Sequence, residues 1–262
     1  MNFPQIDPVI FSIGPLAVRW YGMMYLLGFV GGYFMMRHVV SLRKWPLDKS
    51  IISDLLFYGV LGVVLGGRFG YTLFYNFDYY SQHPLEIFYV WEGGMSFHGG
   101  LLGVCVAILI FSRRQNLKLL LLADLVVSAV PIGLGLGRIG NFINAELWGR
   151  TTGLPWGVIF PGAGSTPRHP SQLYEAGLEG IVLLIIIYLL HRLGVRRGVP
   201  AFSFLMLYGV FRFLVEFVRQ PDSHLGFLWG GATMGQILSL PMVVVGLAGL
   251  VMILRRTAHD SD

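Results

Sequence analysis

Apolar stretches of about 17–30 residues alternate with short polar, basic stretches along the whole chain. About 20 consecutive apolar residues cross the ~30 Å hydrocarbon core of a bilayer as a helix. The pattern therefore predicts spans at 14–36, 50–70, 96–112, 119–137, 171–191, 199–218 and 231–254. The fold expected is an all-α membrane protein, a polytopic bundle of about seven transmembrane helices. It forms a single transmembrane domain over residues 1–262, with outward-facing loop regions around 71–95 and 138–170. The second and third stretches are short or charge-bearing, and six spans is the alternative count. The glycine-rich run Leu61 to Gly70 suits close approach between helices. No internal repeat, low-complexity tract or linker interrupts the series.

Composition agrees with this pattern: 55% of residues are hydrophobic, 13% are charged, and mean hydropathy is +0.65. Soluble domains carry nearer a quarter charged residues. A net charge of +5 raises the question of nucleic acid. The basic residues occur as short clusters between apolar blocks, not as one patch interleaved with aromatics, so nucleic acid is not the expected partner. Their placement sets orientation instead. Twelve of the 19 lie in three alternate connections and the tail, at Arg37, Arg43, Lys44, Lys49, Arg113, Arg114, Lys118, Arg192, Arg196, Arg197, Arg255 and Arg256. The positive-inside rule then places the N-terminus outside and the C-terminus in the cytoplasm. No basic residue precedes Arg19, so the first apolar run lacks a signal peptide's basic start and is expected to be retained. The one cysteine, Cys105, is expected to be a small buried packing residue.

With orientation fixed, polar residues within the spans can be placed by depth. Arg68 ends the second span, His98 opens the third and Arg138 closes the fourth. Glu175 and Glu179 enter the fifth, Arg212 and Glu216 leave the sixth, and Tyr21 opens the first. All fall in the outer half. Asp54 and Asp124 lie near the inner ends, where pairing or helix capping is expected. A charge at the bilayer centre costs about 2.5–3.5 kcal/mol or more, so several at one depth point to a site. The opposing reading is a ring of snorkelling arginines.

Three segments carry candidate chemistry. Tyr208, Arg212 and Glu216 are spaced i, i+4, i+8 and form one helical stripe. Glu216 is there to partner or orient Arg212, or the pair only fixes packing. Gly137 to Arg150 gathers Arg138, Asn141, Asn144, Glu146, Gly149 and Arg150 at a helix exit. Guanidinium forks, amides and glycine-exposed N–H groups suit a lipid head-group phosphate, and a self-satisfied re-entrant turn is the alternative. Ser96-Phe97-His98-Gly99-Gly100 sets one imidazole at a span mouth, where its glycines give access. His98 is a catalytic candidate or a hydrogen-bonded structural residue. No second His or Cys stands at ligand spacing, so no metal is expected. Ser171, in the loop entering the fifth span, is a candidate N-cap.

The run Gly137 to Gly149 resembles the signature of prolipoprotein diacylglyceryl transferases, bacterial inner-membrane enzymes that begin lipoprotein maturation. So do Arg19-Trp20-Tyr21-Gly22, Ser96 to Gly100, His169-Pro170-Ser171-Gln172-Leu173-Tyr174-Glu175 and Tyr208 to Glu216, in family order. Ala145 departs from the pattern, since many members have glycine there.

The resemblance implies transfer of the diacylglyceryl group of phosphatidylglycerol to the lipobox cysteine thiol of a prolipoprotein signal peptide. A thioether forms, glycerol phosphate leaves, and no cofactor is needed. It implies Arg138 and Arg212 as the phosphate and leaving-group residues. It implies Tyr21, His98, Asn141, Glu146, Gly149, Tyr208 and Glu216 as further site residues, with His98 the favoured thiol base. A thiol of pKa ~8.5 is only slightly ionised at neutral pH, so a base or a cation should assist. The leaving phosphate is the other proton acceptor in play. A transporter or flippase would spread its charges across the full depth, and a non-catalytic binding subunit would tolerate loss of Arg138 and Arg212.

Overall fold

The computed structural model describes residues 1–14, 16–90, 93–221 and 226–259. Trp91 and Glu92, inside the expected outward loop, lie outside the described residues. The chain divides into two compact units, Met1–Lys44 with Asp124–Asp262, and Trp45–Ala123. It is mostly helical. Five helical stretches are long and apolar enough to cross a membrane: Trp20–Leu42, Lys49–Phe74, Leu119–Ile143, Ser171–Arg192 and Met234–Arg255. A shorter apolar helix covers Val199–Val215.

The larger unit begins with a hairpin that the hydrophobic pattern concealed. β1 (Val9–Ile13) pairs antiparallel with β2 (Leu16–Arg19), and Gly14 takes φ 58° in the turn. The first span therefore starts at Trp20, not at 14, as α1 (Trp20–Leu42). Helix α5 (Leu119–Ile143) packs on α1 through small residues, with Gly28 against Gly133 and Gly32 against Ala129. It also outruns its expected end at 137, which puts Arg138 and Asn141 inside the helix. The glycines at 137 and 140 look like an exit in sequence, yet a helix in a packed bundle tolerates them. Then come α6 (Ser171–Glu175), a π turn (Ala176–Val182) and α7 (Leu183–Arg192) in one continuous helix. Gly180 of the π turn meets Gly135 of α5 so closely that a Cβ there would lie 2.7 Å from the Gly135 Cα.

Helix α8 (Val199–Val215) ends before 218, and Glu216 becomes its C-cap. Its N-terminus is capped from a distance. Asp124 accepts from the Gly198 N–H at 2.6 Å and the Ala201 N–H at 3.0 Å, as the capping expectation required. Asp54, by contrast, lies exposed on its helix. The His191 imidazole bonds the Asp124 carbonyl at 3.1 Å, and Arg43 donates to the His191 and Val195 carbonyls. Helix α9 (Met234–His259) lies along α8, where Gly209 and Gly246 remove the side chains that would hold them apart.

The smaller unit is a helical hairpin of α2 (Lys49–Phe74) and α4 (Phe97–Arg114), with short α3 (Phe77–Gln82) and a 3-10 turn (Pro84–Phe88) between. Gly62, Gly66 and Gly70 face Gly99 and Gly103, and a Cβ at Gly66 would overlap the Gly99 carbonyl. The glycine run thus serves the close approach read from sequence. The glycine after His98, Gly99, belongs to this seam. Ser96 caps α4 by accepting from the Gly99 N–H at 3.1 Å. Cys105 is exposed, not buried. It shares the outer face of α4 with Leu101, Leu102 and Val106, which are 51%, 64% and 54% exposed. Apolar exposure of that extent belongs to a surface turned toward lipid.

Candidate active site

Arg138 on α5, Glu175 at the end of α6, and Arg212 and Glu216 at the end of α8 converge in the larger unit. One carboxylate oxygen, Glu175 Oε2, lies 2.5 Å from Arg138 Nε and 2.9 Å from Arg212 Nη1. Arg212 turns its other nitrogen, Nη2, to Glu216 Oε1 at 2.7 Å, closing the i, i+4 pair expected from the stripe. Arg219 approaches the same Glu216 oxygen at 3.3 Å and Glu175 Oε1 at 3.7 Å. Thr233 donates to Glu216 Oε2 at 2.6 Å. Gly235 leaves room for that carboxylate, since a Cβ there would lie 2.5 Å from it. With Glu179 the cluster holds three guanidiniums and three carboxylates. Its formal charge balances, which is what lets such groups stay buried together. The glutamates 175 and 179 are fully enclosed, while Arg138 and Arg212 keep 19% and 13% of their side chains exposed.

The segment after α5 is folded back by its own polar groups. The Glu146 carboxylate accepts from Asn141 Nδ2 at 2.8 Å and Asn144 Nδ2 at 3.4 Å. Gln172 Nε2 donates to the Glu146 carbonyl at 2.6 Å, and the Ser171 hydroxyl donates to the Leu147 carbonyl. Ser171 is therefore the first residue of α6 and not its N-cap; Pro170 holds that place. Gly149 sits where three strands of chain cross. It bridges Arg219, its N–H donates to the His169 carbonyl, and a Cβ would lie 2.6 Å from the His169 Cβ. Arg150 donates to the carbonyls of Glu216 and Arg219, tying this segment to the end of α8. Ala145 and Leu147 adopt φ 52° and 57°, so the glycine common at position 145 in the resembling family has a conformational reason.

Tyr21 packs beside Gly140, where a Cβ would meet its ring at 3.0 Å, and its hydroxyl bonds Tyr25 at 3.0 Å. Tyr208 stacks on Phe204 one turn before Arg212. Seven of the expected residues at 21, 138, 141, 146, 208, 212 and 216 thus belong with Gly149 to the larger unit. His98 is the second residue of α4 in the smaller unit, exposed, and is described with that unit alone. Arg68, grouped with the site arginines by depth, is spent otherwise. It donates to the carbonyls of Glu86, Ile87, Gly93 and Gly94 and packs on Tyr80.

Sequence reasoning placed Glu175 and Glu179 at the depth of the site without giving either a role, and left Arg219 out. The first two share an i, i+4 face of one span, a signal available in the sequence. Arg219 follows Arg212 by seven residues, so it would share that face only if the helix ran on, and α8 stops at Val215. Just before α6, His169 bonds the Tyr174 hydroxyl at 3.3 Å, Trp156 donates to the same oxygen at 2.7 Å, and burial pulls the His169 imidazole below its ordinary pKa.

Apolar helices of spanning length, enclosing a charge-balanced arginine–glutamate cluster, define a multi-pass membrane protein. A sequence model described as prolipoprotein diacylglyceryl transferase matches residues 8–252, and the chain belongs to that family. Relatives named phosphatidylglycerol–prolipoprotein diacylglyceryl transferase run its full length. That of Geobacter sulfurreducens is 54% identical over 256 residues, covering 98% of each chain. That of Pseudoalteromonas atlantica is 56% identical over 259 residues, covering 97% of this chain and 92% of its own. That of Bordetella avium is 52% identical over 262 residues, covering 99% of both.

Proposed function

We propose that this membrane protein transfers the diacylglyceryl group of phosphatidylglycerol to the lipobox cysteine thiol of prolipoproteins. The thiol gives up its proton, a carbon–sulfur bond forms, and the carbon–oxygen bond to the phosphate breaks. Its electron pair leaves on glycerol phosphate. This is substitution at an alkyl carbon, so the charge needing stabilisation develops on the departing phosphate. One observation carries the reading: guanidiniums from two different helices meet on a single carboxylate oxygen of Glu175. A phosphodiester likewise carries one negative charge spread over two acceptor oxygens that suit guanidinium forks, so it can take that place on Arg138 and Arg212. Donors aimed where charge develops are worth about 10²–10³-fold in rate. Glu216 orients Arg212, and Asn141 with Glu146 holds the segment beside it, next to Tyr21 and Tyr208. His98 takes the thiol proton.

The chain works as one transmembrane domain of seven spans in the bacterial cytoplasmic membrane. Its N-terminus is outside and its site faces the periplasmic side, as the lysine and arginine asymmetry requires. Purified protein given phosphatidylglycerol and a lipobox peptide should yield the thioether peptide and glycerol phosphate. A Cys→Ser peptide should stay unmodified, and equal transfer to it would overturn thiol alkylation. In a Cys105→Ala background, an impermeant thiol reagent on spheroplasts should label Arg168→Cys and spare Lys118→Cys. The reverse pattern would invert the topology.

A further inference from the structure

Among the described residues, one stripe of the α6–α7 helix carries buried acceptors that receive no hydrogen bond. Gln172, Glu175 and Glu179 stand at i, i+3 and i+7, which places them on one helical face, and all three are fully buried. Gln172 spends its amide nitrogen on the Glu146 carbonyl, while its Oε1 accepts nothing. Glu175 gives Oε2 to Arg138 and Arg212, and its Oε1 receives no hydrogen bond. Glu179 accepts none at either oxygen. The Arg212 Nη1 stands 3.9 Å from Glu179 Oε1, close enough for attraction and too far for a hydrogen bond. Buried polar atoms are as a rule satisfied, and each exception calls for an explanation. Here the exceptions cluster beside the guanidiniums read as the phosphate site.

We propose that Glu179 selects the lipid by its head group, accepting hydrogen bonds from the hydroxyls of the glycerol that the phosphate carries. This rests on the reading of Arg138 and Arg212 as the phosphate site and adds what lies beyond the phosphate. Arg212 touches Glu175 at 2.9 Å and faces Glu179 at 3.9 Å. A phosphate replacing Glu175 on Arg212 therefore brings its ester-linked alcohol within a few ångströms of the empty acceptors. The chemistry of the partner follows from what is missing. Hydroxyls supply donors without adding charge. A plain alkyl head group would leave the carboxylate unsatisfied in the complex. The π turn that holds Glu179, seated by Gly180 against Gly135, fixes the carboxylate on this face.

The test compares two lipids of equal charge and equal head-group carbon count, phosphatidylglycerol and phosphatidylpropanol, in mixed micelles with a lipobox peptide. The parent protein should favour phosphatidylglycerol in kcat/KM by about 10–100-fold, the size of one or two hydrogen bonds to a charged acceptor. In Glu179→Leu that ratio should fall to within about threefold, through loss on phosphatidylglycerol. Glu179→Gln, nearly isosteric, should give an intermediate ratio and carries the comparison if the leucine variant does not fold. A purely structural Glu179 would lower both rates in parallel and leave the ratio intact, which overturns the proposal. So does a parent that turns over both lipids equally, whatever the variants do. Those outcomes leave the transferase reading standing. A parent that makes no thioether from phosphatidylglycerol removes the transferase reading, and this inference falls with it.

Discussion

Two buried arginine environments, one in each unit, separate packing from chemistry. Arg68 is 3% exposed, and its guanidinium is consumed by four backbone carbonyls within one loop. Those bonds hold the connection between α2 and α4, and they use up the donor fork. Arg138 and Arg212 are less enclosed, their partners are carboxylates, and they share one oxygen between them. Buried acceptors beside them, on Gln172, Glu175 and Glu179, receive no hydrogen bond. A buried arginine near a membrane surface is therefore no evidence of a site by itself. What its partners leave unspent is the evidence.

The sharpest way to break that division is at His98, in the unit whose arginine is structural. If His98 is the thiol base, His98→Asn should slow transfer about 10²–10⁴-fold at neutral pH. Initial rates against pH should converge for variant and parent as the peptide thiol ionises unaided. Parallel profiles would return His98 to a structural role and leave the smaller unit with packing alone.

Next in size are the arginines themselves. Arg138→Lys and Arg212→Lys keep the charge and lose the planar fork, and each should lose about 10²–10³-fold in rate while inserting normally. Arg68→Lys should instead lower thermal stability in detergent and leave the rate per folded molecule within about threefold. Comparable rate losses at all three positions would erase the contrast.

The glycine seam of the smaller unit gives a smaller effect. Gly66→Ala forces a Cβ onto the Gly99 carbonyl, and overpacking of this kind typically costs about 1–3 kcal/mol. Gly59→Ala, on the same helix with nothing within 4 Å, should be neutral or should stabilise by up to about 1 kcal/mol through helix propensity. Equal melting shifts would remove the close-approach account. The smallest effect belongs to Ala145→Gly. Relieving φ 52° returns about 1–2 kcal/mol, and the greater freedom of glycine in the unfolded chain takes back about 0.4–1. A rise in the melting midpoint worth about 1 kcal/mol is expected, and a fall would show that the turn wants its methyl group.

The helices were legible because apolar length is a direct physical signal, and their ends were not because glycine means different things in water and in a packed bundle. The run that begins at Gly137 reads as a helix exit, yet α5 continues to Ile143, with Gly133 and Gly135 earlier in it against Gly28 and Gly180 of neighbouring helices. The hairpin at 9–19 was hidden for a related reason. Five apolar-rich residues before Gly14 merge with the span that follows when hydropathy alone is summed. Arg138, Arg212 and Glu216 were legible from charge at one depth and from the i, i+4 stripe. Glu175 was visible as a charge but not as the oxygen on which both arginines converge, since that depends on three helices meeting. Cys105 was misplaced because in a lipid-facing helix apolar surroundings do not imply burial.

The capping of α8 by Asp124 has a consequence for the order of events during synthesis. The carboxylate and the Gly198 amide it receives are 74 residues apart in the chain. At about 5–20 residues per second, α5 is made some 4–15 s before its partner exists. For that interval an acidic side chain near the start of an otherwise apolar helix has no amide to accept from. The early helices must therefore wait with a polar group open, in the hands of the insertion machinery or of water at the interface. The arrival of Gly198 and Ala201 then closes the account of both helices at once. A chain released before residue 198 would keep that carboxylate exposed, a ready mark by which an incomplete product differs from a finished one.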